Sequence, residues 1–318
     1  MIDAIQILIT YTLSDDQLQS VRNVSPRLDV RYVPRQSEAE EFFPSAEILF
    51  GDIDRIQYLK MPKLRWIQIS TVGAERFLFP ELLNSPVALC CAKGMHKFQM
   101  TELLFGTMLA VSRKLFSYYD LQKKKEWTTS LVKESDVVNG RTLGIIGVGS
   151  IGTQMAKVAK SFGMYVIGTK RTPTSIEWVD EMLPPSRLDV LLSRSDHIVL
   201  VVPLTPDTTN MIGEREFSLM KSTAVFYNLG RGASIDEKAL IRSLRTKKIR
   251  AAVLDVFDAE PLPKESPLWT LPNVFVTPHV GGPIPHYKGL LTAIFIENLK
   301  RFLEGKDFAT AVDKSKGY

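Results

Sequence analysis

Short apolar runs alternate with helical or turn-rich segments along most of the chain. In the first hundred residues five such runs predict strands, at residues 4–9, 31–33, 48–50, 64–69 and 87–91. Ser14 and Gln17 follow the first run at the spacing of a capping box, which predicts a helix to about Val21. A regular alternation of strands and helices favours a parallel sheet covered by helices.

The same alternation returns in the second half of the chain. Six apolar runs predict strands there, at residues 143–146, 165–169, 197–202, 224–229, 251–256 and 274–277. Another capping-box spacing, from Ser234 to Glu237, predicts a helix that starts at this point. Six strands with intervening helices are typical of a doubly wound sheet.

Two longer helices complete the predicted secondary structure. Residues 100–115 are apolar around much of the helix circumference, and residues 288–303 have a long apolar face. At 318 residues the chain exceeds the size, roughly 250 to 300 residues, at which single cores stop growing. We therefore predict two domains, one formed by residues 1–98 and completed by 284–318, the other by residues 99–283.

Composition and charge narrow the class of protein. With 45% hydrophobic and 24% charged residues the chain is typical of soluble globular proteins. Its net charge of +5 comes from scattered basic side chains, without the basic stripe that nucleic-acid binding requires. Cys90 and Cys91 are adjacent and cannot readily bridge each other or form a metal-ligand set, which favours a reducing compartment. The N-terminus lacks a signal-peptide pattern, so we predict a cytoplasmic protein that binds no membrane.

A glycine cluster, Gly147-Val148-Gly149-Ser150-Ile151-Gly152, lies between a predicted strand and a segment with helical apolar spacing. Three glycines at such a turn can be a tight connection alone, but this setting favours a dinucleotide site. Gly147 allows the tight turn, Gly149 lets the backbone approach a pyrophosphate, and Gly152 permits close packing of helix on strand. The N–H groups at the helix start, including those of Ser150 and Ile151, then face the phosphates.

The residues after the next strand bear on which dinucleotide is bound. An acid that hydrogen-bonds the adenine ribose is expected about 20 residues after the glycines, but this place reads Lys170-Arg171-Thr172. Two cations attract a 2′-phosphate that a carboxylate would repel, which favours NADP over NAD. The alternative is that Lys170 and Arg171 only solvate a strand end, and NAD stays possible.

Three ionisable residues, Arg231, Glu260 and His279, stand at or just after predicted strands further along the chain. The carboxyl ends of parallel strands line the ligand crevice of an open sheet, so the three side chains can converge. An imidazole transfers protons near neutral pH, a carboxylate orients it, and a guanidinium clamps a carboxylate. Beside a dinucleotide, these groups are what the reduction of a 2-oxo acid requires.

At this point the sequence resembles a known family, the D-isomer-specific 2-hydroxyacid dehydrogenases, over most of its length. The motifs that carry the resemblance are residues 144–152, 196–205, 228–232, 255–261 with 266–269, and 277–279. The resemblance implies an α/β fold of two doubly wound domains. In it a Rossmann-type cofactor domain is inserted in a flavodoxin-like substrate domain, with the active site in the cleft between them.

The resemblance also implies roles for individual residues. Arg231 binds the carboxylate and carbonyl of the substrate, His279 is the general acid and base, and Glu260 holds and tunes His279. Asp255 contacts the nicotinamide carboxamide. The resemblance further assigns Val202 and Pro203 to cofactor binding, and Thr71, Val72 and Gly73 of the loop 70–74 to binding of the substrate carboxylate.

Two departures from the family pattern bear on the substrate. Lys170 in place of the common Asp resembles the NADPH-preferring glyoxylate and hydroxypyruvate reductases, so we predict reduction of a small 2-oxo acid to a D-2-hydroxy acid. Residues 283–287 replace the usual polar start of the final helix, which leaves the shape of the cleft open. The alternatives are an NAD-linked dehydrogenase for a bulkier acid and a non-catalytic, dinucleotide-sensing protein similar to corepressors.

The other histidines have less specific interpretations. His197 lies inside an apolar strand and is interpreted as a core histidine. His286 and His279 lack the spacing of a metal site, and we predict no metal. His96 and Met95 precede the predicted helix at 100–115 and either contact the substrate or pack the loop.

Several aromatic residues follow that helix. Tyr118, Tyr119 and Trp127 are interpreted as packing between domains or subunits rather than as part of a cofactor site. The family resemblance implies a homodimer formed through the cofactor domain.

Overall fold

The computed structural model describes residues 4–282 and 285–317. The chain divides into two compact units, Met1–Met95 with Ile284–Tyr318, and His96–Pro283. The predicted domain boundary at 98/99 lies three residues beyond the first division. The predicted boundary at 283/284 falls on residues outside the described part, as does the first part of the run 283–287.

The unit that contains the N-terminus is built on a parallel sheet of five strands. They are β1 (Ile5–Ile9), β2 (Leu28–Tyr32), β3 (Ile48–Phe50), β4 (Trp66–Gln68) and β5 (Ala88–Cys90). Their order is β2-β1-β3-β4-β5, the strand order of flavodoxin-like sheets. The helices among them are α1 (Asp15–Arg22), α2 (Arg55–Leu59) and α3 (Pro80–Leu83). The capping box of α1 is confirmed, since Ser14 Oγ accepts from Gln17 N and Gln17 Oε1 accepts from Ser14 N.

The unit of residues 96–283 has a parallel sheet of seven strands. They are β6 (Thr142–Ile146), β7 (Tyr165–Thr169), β8 (Glu181–Leu183), β9 (His197–Leu200), β10 (Val225–Asn228), β11 (Ala251–Leu254) and β12 (Val274–Val276). The order β12-β11-β10-β9-β6-β7-β8 is that of a Rossmann-type sheet with one strand added. The prediction of six strands missed β8, because this three-residue edge strand begins with a charged residue and pairs with β7 alone.

Helices cover both faces of this sheet. They are α4 (Lys97–Ser112), α5 (Leu115–Lys124), α6 (Ser150–Ser161), α7 (Leu188–Arg194), α8 (Glu214–Leu219) and α9 (Glu237–Arg245). The core under α4 and α6 includes Leu104, Met108 and Met155, and the core on the opposite face includes Leu191 and Phe217. The predicted single helix at 100–115 is wrong at its end, because Lys114 adopts the left-handed conformation (φ +59°) and separates α4 from α5.

The predicted capping box at Ser234 is also wrong. Ser234 ends a short 3₁₀ turn that follows Arg231, and the N-cap of α9 is Asp236, whose side chain accepts from Ala239 N at 3.0 Å. The turn keeps the backbone of Ser234 out of the helix, so the side chain two residues later caps α9.

The final helix, α10 (Tyr287–Leu303), belongs to the unit that contains the N-terminus. Phe295 of α10 stacks on Phe50 and on Trp66, with ring centroids 4.3 and 5.1 Å apart. Buried Asn298 donates to Gln68 Oε1 and to Thr310 Oγ1. The helix therefore seals one face of the five-stranded sheet.

His197 is the buried histidine that its apolar surroundings indicated. Its Nδ1 lies 3.0 Å from the hydroxyl of Tyr227, and 4% of the residue is exposed. Burial lowers the pKa of His197 from 6.5 to about 4, so the ring is neutral in the folded protein near pH 7.

This burial predicts a loss of stability in acid. The unfolded chain takes up the proton at a higher pH than the folded one, so the contribution of His197 is complete above pH 6.5 and decreases as the pH falls towards 4. The expected loss is about 3 kcal/mol in the free energy of unfolding, measured by urea titration across this range. The double variant His197→Phe/Tyr227→Phe is expected to lose less over the same range. An equal loss of unfolding free energy in the double variant would show that buried His197 does not cause the loss of stability in acid.

Candidate active site

The strands of the seven-stranded sheet end in register at one edge. Ile146 pairs with Thr169 and with Leu200. Leu200 pairs with Asn228, Asn228 with Leu254, and Leu254 with Val276. The residues that follow these ends therefore meet along a single edge, and they include Gly147, Lys170, Val202, Arg231, Asp255 and His279.

The glycine turn after β6 is shaped by contacts that exclude side chains. Gly147 has a φ of +103°, and a Cβ there would lie 2.8 Å from both the Val201 carbonyl oxygen and Val202. A Cβ at Gly152 would lie 2.6 Å from the carbonyl oxygen of Gly147, so helix α6 packs directly on the turn. Gly149 is the N-cap of α6, and a Cβ there would meet open space. A phosphate can therefore approach the start of α6 and the N–H groups of Ser150 and Ile151.

The residues after β7 stand beside this turn, because β7 is the neighbour of β6. Lys170 is half-buried, and Arg171 and Thr172 are exposed. The Arg171 guanidinium lies 3.7 Å from Asp207, which belongs to the loop after β9. Since β6 lies between β7 and β9, this ion pair crosses above the glycine turn.

The loop after β9 is held by its own side chains. Thr208 Oγ1 donates to the carbonyl oxygen of Pro203 at 2.7 Å and accepts from Thr205 N at 2.8 Å. Val202 precedes this loop and lies against Gly147 on one side and close to Gly230 on the other. The three turns after β6, β9 and β10 thus contact one another at the crevice where doubly wound sheets bind ligands.

Arg231 is positioned by the buried side chain of Asn228 at the end of β10. Asn228 Oδ1 accepts from Gly230 N, and Asn228 Nδ2 donates to the carbonyl oxygen of Arg231. The Arg231 guanidinium donates to the carbonyl oxygen of Gly230 at 3.0 Å. The next residue, Gly232, has no room for a side chain, since a Cβ would lie 1.9 Å from the backbone of Phe257. The sequence motif included Asn228, but its role as the support of this turn was not predicted.

Glu260 and His279 form a hydrogen-bonded pair. Glu260 Oε2 lies 2.7 Å from His279 Nδ1, and Glu260 Oε1 accepts from Phe257 N at 3.0 Å. The carboxylate is thereby fixed from one side and orients the imidazole on the other. The His279 side chain keeps 51% of its surface exposed, so its second ring nitrogen can reach a small molecule.

The backbone of His279 adopts the left-handed conformation, with a φ of +55°. Asp255, buried at the end of β11, holds it there. The carbonyl oxygen of Asp255 accepts from His279 N at 2.9 Å, Oδ1 accepts from Thr277 Oγ1 and Val280 N, and Oδ2 accepts from Gly281 N. Asp255 therefore supports the loop that carries the imidazole, a role that the sequence did not reveal. Its contact with the nicotinamide carboxamide stays a prediction.

The loop 70–74 belongs to the other unit. Asp52 Oδ1 accepts from Ser70 N and Ser70 Oγ at 2.9 Å, and Asp52 also pairs with Arg76. Thr71 Oγ1 donates to the carbonyl oxygen of Gly73 at 2.7 Å. Asp52 orders this loop and was not predicted to do so. That Thr71, Val72 and Gly73 bind a substrate carboxylate stays a prediction.

Within residues 4–282 and 285–317, no helix combines the length and hydrophobicity needed to cross a bilayer. In the same part of the chain, no group of His, Cys, Asp and Glu side chains is arranged to hold a metal ion.

Comparison with known proteins identifies the family of this chain. Residues 105–281 match the model of the D-isomer-specific 2-hydroxyacid dehydrogenase NAD-binding domain. Over 310 residues the chain is 34% identical to a glyoxylate/hydroxypyruvate reductase B of Klebsiella pneumoniae (strain 342), covering 94% of this chain and 95% of the relative. The chain belongs to the D-isomer-specific 2-hydroxyacid dehydrogenases. It is an oxidoreductase whose cofactor is a nicotinamide dinucleotide.

Two further similar proteins show how much of the chain the similarity covers. A D-3-phosphoglycerate dehydrogenase of Methanocaldococcus jannaschii is 34% identical over 95% of this chain, which spans 58% of the length of that relative. The crystal structure of an NADPH-dependent glyoxylate/hydroxypyruvate reductase from Sinorhizobium meliloti, in complex with NADP and sulfate, is 27% identical. It aligns with a TM-score of 0.83 over 99% of this chain and 100% of its own. The two-domain dehydrogenase fold predicted from the sequence is confirmed.

Proposed function

We propose that this dehydrogenase reduces a small 2-oxo acid, glyoxylate or hydroxypyruvate, to the D-2-hydroxy acid with NADPH. The observation that carries the proposal is the placement of Arg231 and of the Glu260–His279 pair at the edge where the glycine turn also lies. The relatives named as glyoxylate/hydroxypyruvate reductases support the choice of substrate. The cations Lys170 and Arg171 beside the turn support the choice of NADP, since they suit a 2′-phosphate.

In the proposed mechanism, each of the three side chains has a separate task. The Arg231 guanidinium holds the substrate carboxylate, and its planar donors orient the acid so that C2 is presented to the cofactor. When bound, the dinucleotide supplies the hydride. His279 donates the proton that the carbonyl oxygen needs, and Glu260 stabilises the imidazolium before the transfer and fixes which ring nitrogen faces the substrate. Reprotonation of His279 from solvent completes the cycle.

A screen of NADPH oxidation tests this function. Glyoxylate, hydroxypyruvate, pyruvate and branched 2-oxo acids are compared at equal concentration, each with NADPH and with NADH. We expect the highest kcat/KM for glyoxylate or hydroxypyruvate with NADPH. A preference for NADH and a branched acid would instead favour the NAD-linked alternative. Tight dinucleotide binding without turnover of any of these acids would favour the corepressor-like alternative.

We also propose a homodimer formed through the unit of residues 96–283. Apolar side chains on and after α5 support it, because Tyr119, Trp127 and Val132 are 58%, 98% and 61% exposed. Clustered exposed apolar residues in a globular protein commonly mark an interface.

Replacing Trp127 by Glu is expected to shift the protein from dimer to monomer at micromolar concentration, because the partner surface would then have to bury a charge. Light scattering after size-exclusion chromatography measures the change. Ile56→Glu, which alters an equally apolar exposed side chain on α2, serves as the control and is expected to leave the dimer intact. A dimer that persists in Trp127→Glu places the interface elsewhere.

A further inference from the structure

A second imidazole packs against the loop that carries His279. His96 is the N-cap residue of α4, and its ring lies against Gly282, where a Cβ would come within 2.9 to 3.1 Å of three ring atoms. Gly282 lies in the loop that carries His279, so the ring of His96 packs on this loop.

The start of α4 is packed against the same loop at a second point. A Cβ at Gly281 would lie 3.3 Å from Leu103 and 3.6 Å from Met100, both on α4. Asp255 also holds Gly281, because its Oδ2 accepts from Gly281 N at 2.9 Å. The loop is therefore held both by Asp255 and by packing against the start of α4, the helix that His96 caps.

His96 is neutral at physiological pH. Burial is the largest cause that lowers its pKa below 6.5, and the positive charges of Arg231 and His279 lower it further. The influence of both charges also means that His96 lies within electrostatic reach of the two side chains that act on the substrate. A neutral imidazole hydrogen-bonds a hydroxyl group as donor or acceptor, but it does not attract a further anion.

A 2-oxo acid presents three groups for recognition: the C1 carboxylate, the carbonyl oxygen on C2 and the substituent on C2. Arg231 takes the carboxylate and His279 the carbonyl oxygen, which leaves the substituent on C2. From the packing of the His96 ring against the loop that carries His279 we infer that this residue contacts the substituent and selects one that carries a hydroxyl on C3. This inference rests on the proposed function and narrows its substrate to hydroxypyruvate over pyruvate and over acids with a charged C3 substituent.

Substrate comparison with His96 variants tests the inference. Glyoxylate has no C3, so it serves as the internal reference in each variant. His96→Leu is expected to lower kcat/KM for hydroxypyruvate about tenfold, which corresponds to one hydrogen bond of about 1.4 kcal/mol. The kcat/KM for glyoxylate and the KM for NADPH are expected to stay unchanged. His96→Gln retains a donor and an acceptor and is expected to recover part of the loss. Glu102→Leu, at an exposed position of α4, is the control and is expected to leave the ratio of kcat/KM for the two acids as in the wild type.

Equal losses for glyoxylate and hydroxypyruvate in His96→Leu overturn the inference, because they indicate that the residue only supports the loop. Unchanged kcat/KM values for both acids in His96→Leu overturn it as well. Failure of the proposed function is distinct from either outcome, since in that case the wild-type protein turns over neither acid with NADPH.

Discussion

His279→Asn is expected to lower kcat for 2-oxo acid reduction by about 10²- to 10⁴-fold, the usual contribution of a positioned acid–base group. The variant loses the proton donor but keeps the backbone, because Asn tolerates the left-handed conformation that His279 adopts. Ala at this position would add backbone strain to the chemical loss. Stopped-flow reduction with saturating NADPH and substrate measures the effect.

The control for this prediction is cofactor binding. Fluorescence titration with NADPH is expected to show the same Kd for His279→Asn as for the wild type, since the proposed mechanism has the imidazole act on the substrate. Glu260→Gln is expected to cost less, about 10- to 100-fold in kcat, because it weakens one hydrogen bond to a charged group worth about 1.5 to 3 kcal/mol. Full activity of His279→Asn would falsify the assigned mechanism.

Lys170→Asp combined with Arg171→Ala is expected to raise the KM for NADPH by about 10- to 100-fold or more. The 2′-phosphate loses two cations and meets a carboxylate, and each charge-assisted hydrogen bond is worth about 1.5 to 3 kcal/mol. The KM for NADH is expected to stay unchanged or to fall, because Asp at this position can accept a hydrogen bond from the ribose hydroxyl. Steady-state kinetics with both cofactors measures the ratio.

The matched control is Lys248→Asp, an exposed lysine just before β11 and therefore at the opposite end of the sheet. It changes the net charge by the same amount as Lys170→Asp, so it reports any effect of overall charge on cofactor affinity. We expect no change in the ratio of the two KM values. If the double variant raises the KM for NADPH and NADH by the same factor, these side chains do not recognise the 2′-phosphate.

The longer apolar runs predicted strands correctly, because a strand buried on both faces needs several consecutive apolar residues. The capping box at Ser14 was equally readable, since the bonds of a cap join residues three apart. The same rule failed at Ser234, where the turn after Arg231 controls the backbone. The hydrophobic pattern did not reveal β8 either. Its three residues are ordered by pairing with β7 rather than by a pattern of their own.

In the candidate site, too, some features could be read from local sequence patterns and others depend on distant contacts. Arg231, Glu260 and His279 were singled out because each follows an apolar run in a recognisable motif, and the structure places Glu260 against His279. The supporting roles of their neighbours were not predicted: Asn228 stood in a motif without an assigned role, Asp255 was assigned to the cofactor, and His96 was left between substrate contact and loop packing. Asn228, the carboxylate of Asp255 and the ring of His96 act through contacts with residues up to 186 positions away, as between His96 and Gly282. No local spacing encodes such contacts.

Residue type and short-range spacing were enough to predict the alternating α/β architecture and the glycine turn, and to single out the ionisable side chains of the candidate site. These features depend on hydrophobic periodicity and on bonds between near neighbours, which are written in consecutive residues. The register that brings six strand ends to one edge, the left-handed backbone of His279 and the contacts of its loop with Asp255 and α4 arise only when distant segments pack together. Long-range packing selects these arrangements because it satisfies buried polar groups that no local conformation can satisfy.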